Sequence, residues 1–279
     1  SAADPLALGA GGRIDVDAGQ DSPRGIGVVA VATDGAGRVY AAFSAFVSGA
    51  FTDVFVATSH DGGHSFGTPV RVGGSAAGTM MGFFPVIAAE PGGHIYLAYE
   101  INTGAAASGF GIREVRFNRS SDLGATWQAS DLVLDSSMEN SGPGHYTHWD
   151  RVPTPQVFVG AGRRVLVTWT NEIDVFLARS TDYGASFTTN SVDQDSRSSD
   201  VANSQACAGG DAVVIAYEAP KLGSSSTSVW PATSKDAGLS WAPRVQVRPE
   251  SAASVSDDHA VACDGAGGAV VVWSDFCSG

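Results

Sequence analysis

Lysine is nearly missing from this 279-residue chain, which holds only Lys221 and Lys235 against fourteen arginines. Charged residues of either sign make up only 16% of the chain, and its formal net charge is −13. A chain with such an excess of negative charge is repelled by phosphate backbones and by anionic lipid surfaces. The composition therefore argues against a nucleic-acid partner and against binding to a membrane surface.

Long apolar runs and cysteines are also scarce. No apolar run reaches the roughly 18 residues that a membrane span needs. The three cysteines, Cys207, Cys263 and Cys277, permit one disulfide at most and lack a metal-binding spacing. Cys207 and Cys263 occupy the same register in adjacent repeats, where we expect them to lie too far apart to bond and to act as small buried apolar residues. We expect a secreted protein, extracellular or periplasmic, whose first residues, SAADP, follow a cleaved leader.

Glycine is abundant, with 35 residues, and it marks an internal repeat. An eight-residue pattern, Ser-x-Asp-x-Gly-x-Ser/Thr-aromatic, occurs four times, and we call each copy a box. The boxes begin at Ser59, Ser120, Ser180 and Ser234. The box aspartates, 61, 60 and 54 residues apart, are Asp61, Asp122, Asp182 and Asp236. A motif recurring at such a near-constant spacing indicates a repeat architecture.

Each repeat begins with a predicted hairpin, in which an apolar run and a β-branched run flank a glycine-rich turn such as Asp34-Gly35. A third strand lies before the box and a fourth after it, for example Asp53–Ser59 and Pro69–Gly73. Five hairpins and four boxes predict an all-β fold: a five-bladed β-propeller of four-stranded antiparallel blades, with six blades as the less favoured alternative. We expect one domain over residues 1–279. Because the last repeat stops after its second strand, the N-terminal segment should pair with that blade and close the ring.

The boxes resemble those of the Asp-box (BNR-repeat) propellers of the sialidase superfamily, and the resemblance covers nearly the whole chain. It implies a structural role for the box aspartates, whose carboxylates would accept backbone N–H groups of their own turns. The box glycine would supply a positive φ, and the box aromatic residue would wedge between sheets. The resemblance also implies that substrates bind near the central axis, on the rim opposite the boxes. His60, His64 and His94 fall on the box rim, where we expect them to face solvent.

Acidic residues gather on the opposite rim. Carboxylates that converge on one axis bind a cation, share protons in acid/base catalysis or pair with arginines, unless they simply form a solvated acidic rim. The candidates for catalysis are Glu100, Glu172, Glu218 and Asp150. The candidates for a metal site, with Ca²⁺ as the cation, are Asp257, Asp258 and Asp275.

The longest segment on that rim, Glu139–Pro153, is dense in aromatic residues and histidine. Tyr146 and Trp149 could stack on a sugar ring. His145 and His148, with Asp150 and His259, could instead hold a transition metal. The full set of candidates for ligand binding is Arg24, His145, Tyr146, His148, Trp149, Arg151 and His259.

Arg24 has a placement similar to that of the first sialidase arginine, which would pair with the carboxylate of sialic acid, and Arg151 matches that position to within one residue. The rest of the sialidase set is not found: the flanking aromatic and Ile-Pro, two further arginines, a tyrosine–glutamate pair and an aspartate within residues 74–83. We therefore predict a sialidase-like propeller that recognises a carbohydrate or related polar ligand and is not an ordinary sialidase. One alternative is a glycoside hydrolase or lyase that uses a carboxylate pair, and another is a protein-binding scaffold with a structural cation.

Overall fold

The computed structural model describes residues 26–48, 51–73, 81–102, 113–138, 155–160, 162–171, 174–192, 201–220, 227–243, 254–264 and 267–277. Within these ranges the chain forms seventeen strands in five antiparallel sheets. Sheet 1 contains β1 (Ile26–Thr33), β2 (Val39–Ser48), β3 (Phe51–Ser59) and β4 (Val70–Val72). Sheet 2 contains β5 (Met81–Ala89), β6 (Ile95–Asn102), β7 (Arg113–Ser120) and β8 (Leu132–Met138).

The remaining sheets follow in chain order. Sheet 3 contains β9 (Gln156–Gly160), β10 (Arg164–Thr170), β11 (Val175–Ser180) and β12 (Thr188–Ser191). Sheet 4 contains β13 (Ala202–Gly209), β14 (Ala212–Pro220) and β15 (Thr227–Ser234). Sheet 5 contains β16 (Ser254–Cys263) and β17 (Ala269–Cys277). The prediction of an all-β chain built from four-stranded antiparallel sheets is confirmed for sheets 1 to 3. The N-terminal segment expected to close the ring lies outside the described residues.

All five predicted hairpins are present, and each forms the first two strands of a sheet. Their turns use glycine where the backbone must become left-handed, as at Gly35 and Gly37, whose φ angles are 73° and 88°. The second strand of each of sheets 1 to 4 is almost entirely buried, since it lies between the first and third strands and is packed on both faces. This explains its β-branched and aromatic composition.

The core lies between consecutive sheets. One cluster joins sheets 1 and 2, a second joins sheets 2 and 3, and a third joins sheets 3 and 4. A box aromatic packs at the edge of each cluster: Trp127, Phe187 and Trp241 respectively. Each of these three residues belongs to the later sheet of its pair, so the predicted wedge between sheets is present.

The four boxes form one repeated hydrogen-bonded turn. The opening serine donates its hydroxyl to the first carboxylate oxygen of the aspartate at 2.7 to 2.8 Å, and accepts the backbone N–H of the box glycine at 2.8 to 3.0 Å. The closing serine or threonine donates its backbone N–H to that same carboxylate oxygen and its hydroxyl to the other. The opening serine, the aspartate, the glycine and the closing serine or threonine therefore all have hydrogen-bond partners within their own turn, which explains these residue types in the repeat.

The box glycine also contacts the preceding sheet. A Cβ atom at Gly184 would lie 2.6 Å from a ring carbon of Phe117 in sheet 2, and one at Gly238 would lie 1.9 Å from Leu177 Cδ2 in sheet 3. Both glycines have positive φ angles, 75° and 82°. Glycine is therefore required at this position by backbone conformation and by the close approach of the neighbouring sheet.

Cys207 and Cys263 form a disulfide between β13 and β16, with their Cα atoms 5.6 Å apart. The expectation that these residues remain two separate thiols is wrong. The two first strands are adjacent, and this brings equivalent points of neighbouring sheets within disulfide range. The bond closes a segment with a sequence separation of 56 residues and ties sheet 5 to sheet 4.

Candidate functional site

Backbone hydrogen bonds identify the two rims of the molecule. In each of sheets 1 to 4 the residue before the box glycine donates its N–H to a carbonyl in the turn between the first and second strands. The four bonds are Gly62 to Gly37, Leu123 to Gly93, Tyr183 to Arg163 and Ala237 to Asp211. The boxes and these hairpin turns therefore share one rim, the box rim, as predicted. The opposite ends of the strands define the loop rim.

Two of the three box-rim histidines are exposed, as expected, but the third is not. His94 is half-buried, and its ring stacks on Tyr183 with centroids 4.5 Å apart and planes inclined by 12°. The tyrosine belongs to the box of sheet 3, so this stack joins sheets 2 and 3 and packs the histidine instead of leaving it in solvent.

A buried polar residue occupies the same position near the loop rim in four sheets. It follows the aromatic residue of the second strand, and its exposed fraction does not exceed 6%. The four residues are Ser44, Glu100, Thr170 and Glu218. Glu100 lies within β6 and Glu218 within β14, so both glutamates belong to strands. Two carboxylates are therefore held inside the sheets at corresponding positions.

Both carboxylate oxygens of Glu218 have a polar side-chain partner. Asn203 Nδ2 donates to Oε2 at 3.1 Å, and His259 Nδ1 lies 3.3 Å from Oε1. Asn203 comes from β13 of the same sheet, whereas His259 comes from β16 of sheet 5. The side chains of Glu218 and His259 are 8% and 0% exposed. The two groups fix the carboxylate in one orientation at the junction of sheets 4 and 5.

His259 is bounded by acceptors on both sides of its ring. Nε2 lies 2.9 Å from the carbonyl oxygen of Ala216, and this contact requires a proton on Nε2. Nδ1 faces the carboxylate of Glu218, 3.3 Å from Oε1. The arrangement is a buried histidine–carboxylate pair that crosses from one sheet to the next.

Bulges in the first strands shape the loop rim near Glu100 and Glu218. Phe84 and Pro85 lie opposite Tyr99 in sheet 2, and Asn203 and Ser204 lie opposite Tyr217 in sheet 4. Phe84 and Asn203 have φ angles of 48° and 49°, which are uncommon for residues other than glycine. A bulge changes the direction of a side chain at the end of a strand. In sheet 4 it brings the Asn203 amide to Glu218.

Most candidate residues from the sequence are not covered by the described ranges. Those outside are Arg24, His145, Tyr146, His148, Trp149, Asp150, Arg151 and Glu172. Asp257 and Asp258 lie in β16 and Asp275 lies in β17, with backbone positions that are described and side chains that are not. Of the candidates, the structure brings together Glu218 and His259.

No group of three histidine, cysteine or acidic side chains that could hold a metal ion occurs among the residues that the structure describes. These same parts of the chain contain no helix that could cross a membrane.

Sequence reasoning missed Asn203 as a partner of Glu218. It proposed His259 for ligand binding or a metal site, and the structure adds the contact of His259 with Glu218. The signal available in the sequence was the pair of residues just before the apolar run of the first strand, Phe84-Pro85 in sheet 2 and Asn203-Ser204 in sheet 4. Its meaning depends on the bulge, which the sequence does not reveal.

Comparisons with known proteins find similarity in fold. No protein-family model matches the chain, and no curated protein sequence matches it. Among solved structures, the intramolecular trans-sialidase from Ruminococcus gnavus matches with a TM-score of 0.53 and 12% identity, over 80% of this chain and 71% of that one. A protein of unknown function from Dyadobacter fermentans gives 0.55 and 15%, over 85% of this chain and 71% of that one.

A polysaccharide lyase of family PL25, an ulvan lyase bound to a glucuronic acid–rhamnose sulfate saccharide, gives a TM-score of 0.52 and 14% identity, over 84% of this chain and 57% of that one. Three further sialidase or trans-sialidase structures are covered over only 51% to 55% of their length. The sequence identities are low, so the likeness concerns the fold. The chain has a sialidase-like β-propeller fold.

Proposed function

We propose that this protein recognises a saccharide, or a related polar ligand, at the loop rim near the axis of the propeller. The observation that carries the proposal is Glu218, a carboxylate held on both oxygens by Asn203 and His259 just below that rim. An oriented carboxylate of this kind can accept hydrogen bonds from sugar hydroxyl groups. The carbohydrate-active proteins that share the fold support the same class of ligand.

The site would extend beyond the described residues to the predicted ligand-binding set. In this proposal Tyr146 and Trp149 contribute aromatic faces, and Arg24 and Arg151 contribute cations for an acidic sugar. His145 and His148 complete the set, and Asp257, Asp258 and Asp275 remain candidates for a Ca²⁺ site.

We further propose that the chain is a five-bladed Asp-box propeller in a single domain, closed by its N-terminal segment. Two observations support this closure. Four valines are 47% to 64% exposed on the two sheets that would meet in a closed ring: Val270 and Val272 of sheet 5, and Val29 and Val31 of sheet 1. Closure of the ring would bury them. Phe66, the box aromatic of sheet 1, packs with Phe43 and Phe55 on the face of sheet 1 turned away from sheet 2.

A secreted location, extracellular or periplasmic, is part of the proposal. The disulfide between Cys207 and Cys263 supports it, because structural disulfides persist in oxidising compartments and are rare in the cytosol.

A second candidate function is a glycoside hydrolase or lyase that uses two of the carboxylates Glu100, Glu172, Glu218 and Asp150. The burial of Glu100 and Glu218 at corresponding positions favours it, because carboxylates in a restricted environment are the usual acid and base of glycoside cleavage. In the enzyme, Glu218→Gln would abolish turnover and leave binding measurable. In a protein that only binds saccharides, the same variant would weaken binding and no turnover would be found in the wild type.

The test is a glycan array with sialosides, uronic-acid oligosaccharides and neutral glycans, applied to the wild type, Glu218→Gln and Glu90→Gln. Glu90 is a matched control because it is a glutamate of the box rim whose carboxylate accepts the Tyr96 hydroxyl. We expect binding by the wild type and by Glu90→Gln, and a loss of about tenfold or more in affinity for Glu218→Gln. Equal binding by all three proteins would exclude Glu218 from the site, and no binding by the wild type to any class would overturn the saccharide proposal.

A further inference from the structure

Two adjacent phenylalanines at the loop rim have no place in the core of the described sheets. Phe83 and Phe84 are half-buried, and their ring centroids lie 6.1 Å apart with planes inclined by 42°. Neither ring belongs to any of the four core clusters formed by the described residues. Large aromatic rings usually provide much of the buried area of a core, so their position at a strand end calls for another role.

The backbone around the pair is firmly held. The residue before it, Gly82, is buried, and its carbonyl accepts the hydroxyl of Thr52 from sheet 1 at 2.9 Å. A Cβ atom at Gly82 would lie 3.0 Å from Val54 Cγ2, so this glycine packs directly against sheet 1. The residue after the pair, Pro85, is also buried. The two rings are therefore presented from a short segment that is fixed at both ends.

Phe84 has a strained backbone, with a φ angle of 48°. Among the described residues, five non-glycine residues other than Phe84 have a positive φ. Three of them precede box glycines, one lies in a hairpin turn, and one is Asn203. Asn203 occupies the corresponding bulge of sheet 4, where it binds the Glu218 carboxylate. Strain of this kind persists where the surrounding structure enforces it and is concentrated at functional sites.

The register places the pair beside a carboxylate. Phe83 lies directly opposite Glu100 on the neighbouring strand, so the two side chains lie on the same face of sheet 2. An aromatic ring next to an acceptor matches a pyranose, which offers an apolar C–H face to the ring and hydroxyl groups at its edge.

We infer that Phe83 and Phe84 form a stacking platform for a sugar ring at the loop rim, a subsite of the saccharide site. This inference rests on the proposed saccharide recognition and specifies the residues that hold the apolar face of the sugar. The bulge at Phe84 and Pro85 aims the rings, and the contacts of Gly82 keep them in place before the saccharide arrives. Preorganised rings lose little conformational entropy on binding.

The decisive variant is Phe84→Gly, which removes the ring and releases the backbone strain in a single change. If the ring serves binding, Tm should equal or exceed that of the wild type, because glycine adopts the left-handed conformation without a steric penalty. Affinity for 3′-sialyllactose or a glucuronic acid–rhamnose disaccharide, whichever of the two the wild type binds, should fall about five- to tenfold in calorimetric titration. Phe83→Leu, which keeps apolar volume but removes the aromatic face, should weaken the same binding.

The matched control is Arg163→Gly, which releases a positive φ of 69° on the box rim and should leave affinity unchanged. If the Tm of Phe84→Gly is well below that of the wild type, the ring stabilises the fold. This result, obtained in the absence of ligand, would overturn the proposed stacking platform. Wild-type affinity in both phenylalanine variants would also overturn the platform, while leaving the proposed function standing. Absence of binding by the wild type to both probes and to the glycan array would overturn both together.

Discussion

The two rims of this propeller are built on different principles. On the box rim, four turns repeat the same hydrogen bonds with distances that agree within a few tenths of an ångström, and their partners lie within four residues of one another. On the loop rim, the buried polar position that follows the aromatic residue of the second strand is filled by a serine, a threonine or a glutamate. Of these, Glu218 has one partner in its own sheet, Asn203, and one in sheet 5, His259. Local bonds thus specify the scaffold, while the rim that varies from sheet to sheet is free to carry a site.

The same contrast holds along a single pair of strands. At the end of β13 and β16 toward the box rim, sheets 4 and 5 are joined covalently by Cys207 and Cys263. Toward the loop rim they are joined by the contact between His259 Nδ1 and Glu218 Oε1. A disulfide confined to one end holds the sheets together without fixing the other end, so the polar contact determines the geometry of the candidate site.

The largest effect should come from filling the space at a box glycine. In Gly238→Ala the new methyl group would overlap Leu177 of sheet 3, and alanine would have to adopt a φ of 82°. A left-handed backbone costs a residue with a Cβ atom roughly 1–2 kcal/mol, and overpacking costs roughly 1–3 kcal/mol. We therefore expect a loss of about 3 kcal/mol in the free energy of unfolding. Urea denaturation measures it.

Gly210→Ala is the matched control for that variant. Its φ is 62°, and no atom lies within 4 Å of the added methyl group. It should lose only about 1 kcal/mol, through the backbone term alone. Equal losses in the two variants would mean that contact with the preceding sheet contributes nothing to the glycine requirement.

The difference between local and long-range contacts explains which features could be predicted from the sequence. The strands, the hairpins and the box turns were predictable because each depends on residues close together in the chain, such as Ser180, Asp182 and Ser186. The Glu218–His259 contact joins residues 41 positions apart in different sheets, and it depends on a bulge that shifts the register of β16. The disulfide was missed for a similar reason, because the distance between the first strands of neighbouring sheets is set by their packing.

An intermediate effect should come from breaking the polar contact at the loop rim. His259→Leu removes one of the two polar partners of the buried Glu218 carboxylate. Glu218→Leu removes the carboxylate that faces His259 Nδ1. Each single variant should lose about 1–3 kcal/mol in the free energy of unfolding. In the double variant, His259→Leu with Glu218→Leu, the loss should be smaller than the sum, because neither group is then left unpaired. Strict additivity in a double-mutant cycle would show that the two side chains do not interact.

The smallest effect should be the titration of a box aspartate. The hydroxyl of Ser240, its backbone N–H and the hydroxyl of Ser234 hold the pKa of Asp236 at about 2, below the ordinary value of 3.8. Because the folded pKa is the lower one, the contribution of this carboxylate to stability is complete above about pH 4 and is lost as the pH falls toward 2. The Tm of Asp236→Asn should therefore lie below that of the wild type at neutral pH, and the two should converge between about pH 4 and pH 2. A Tm difference that stays constant across this range would mean that the charge of Asp236 adds nothing to the turn, and that its geometry alone holds the box rim together.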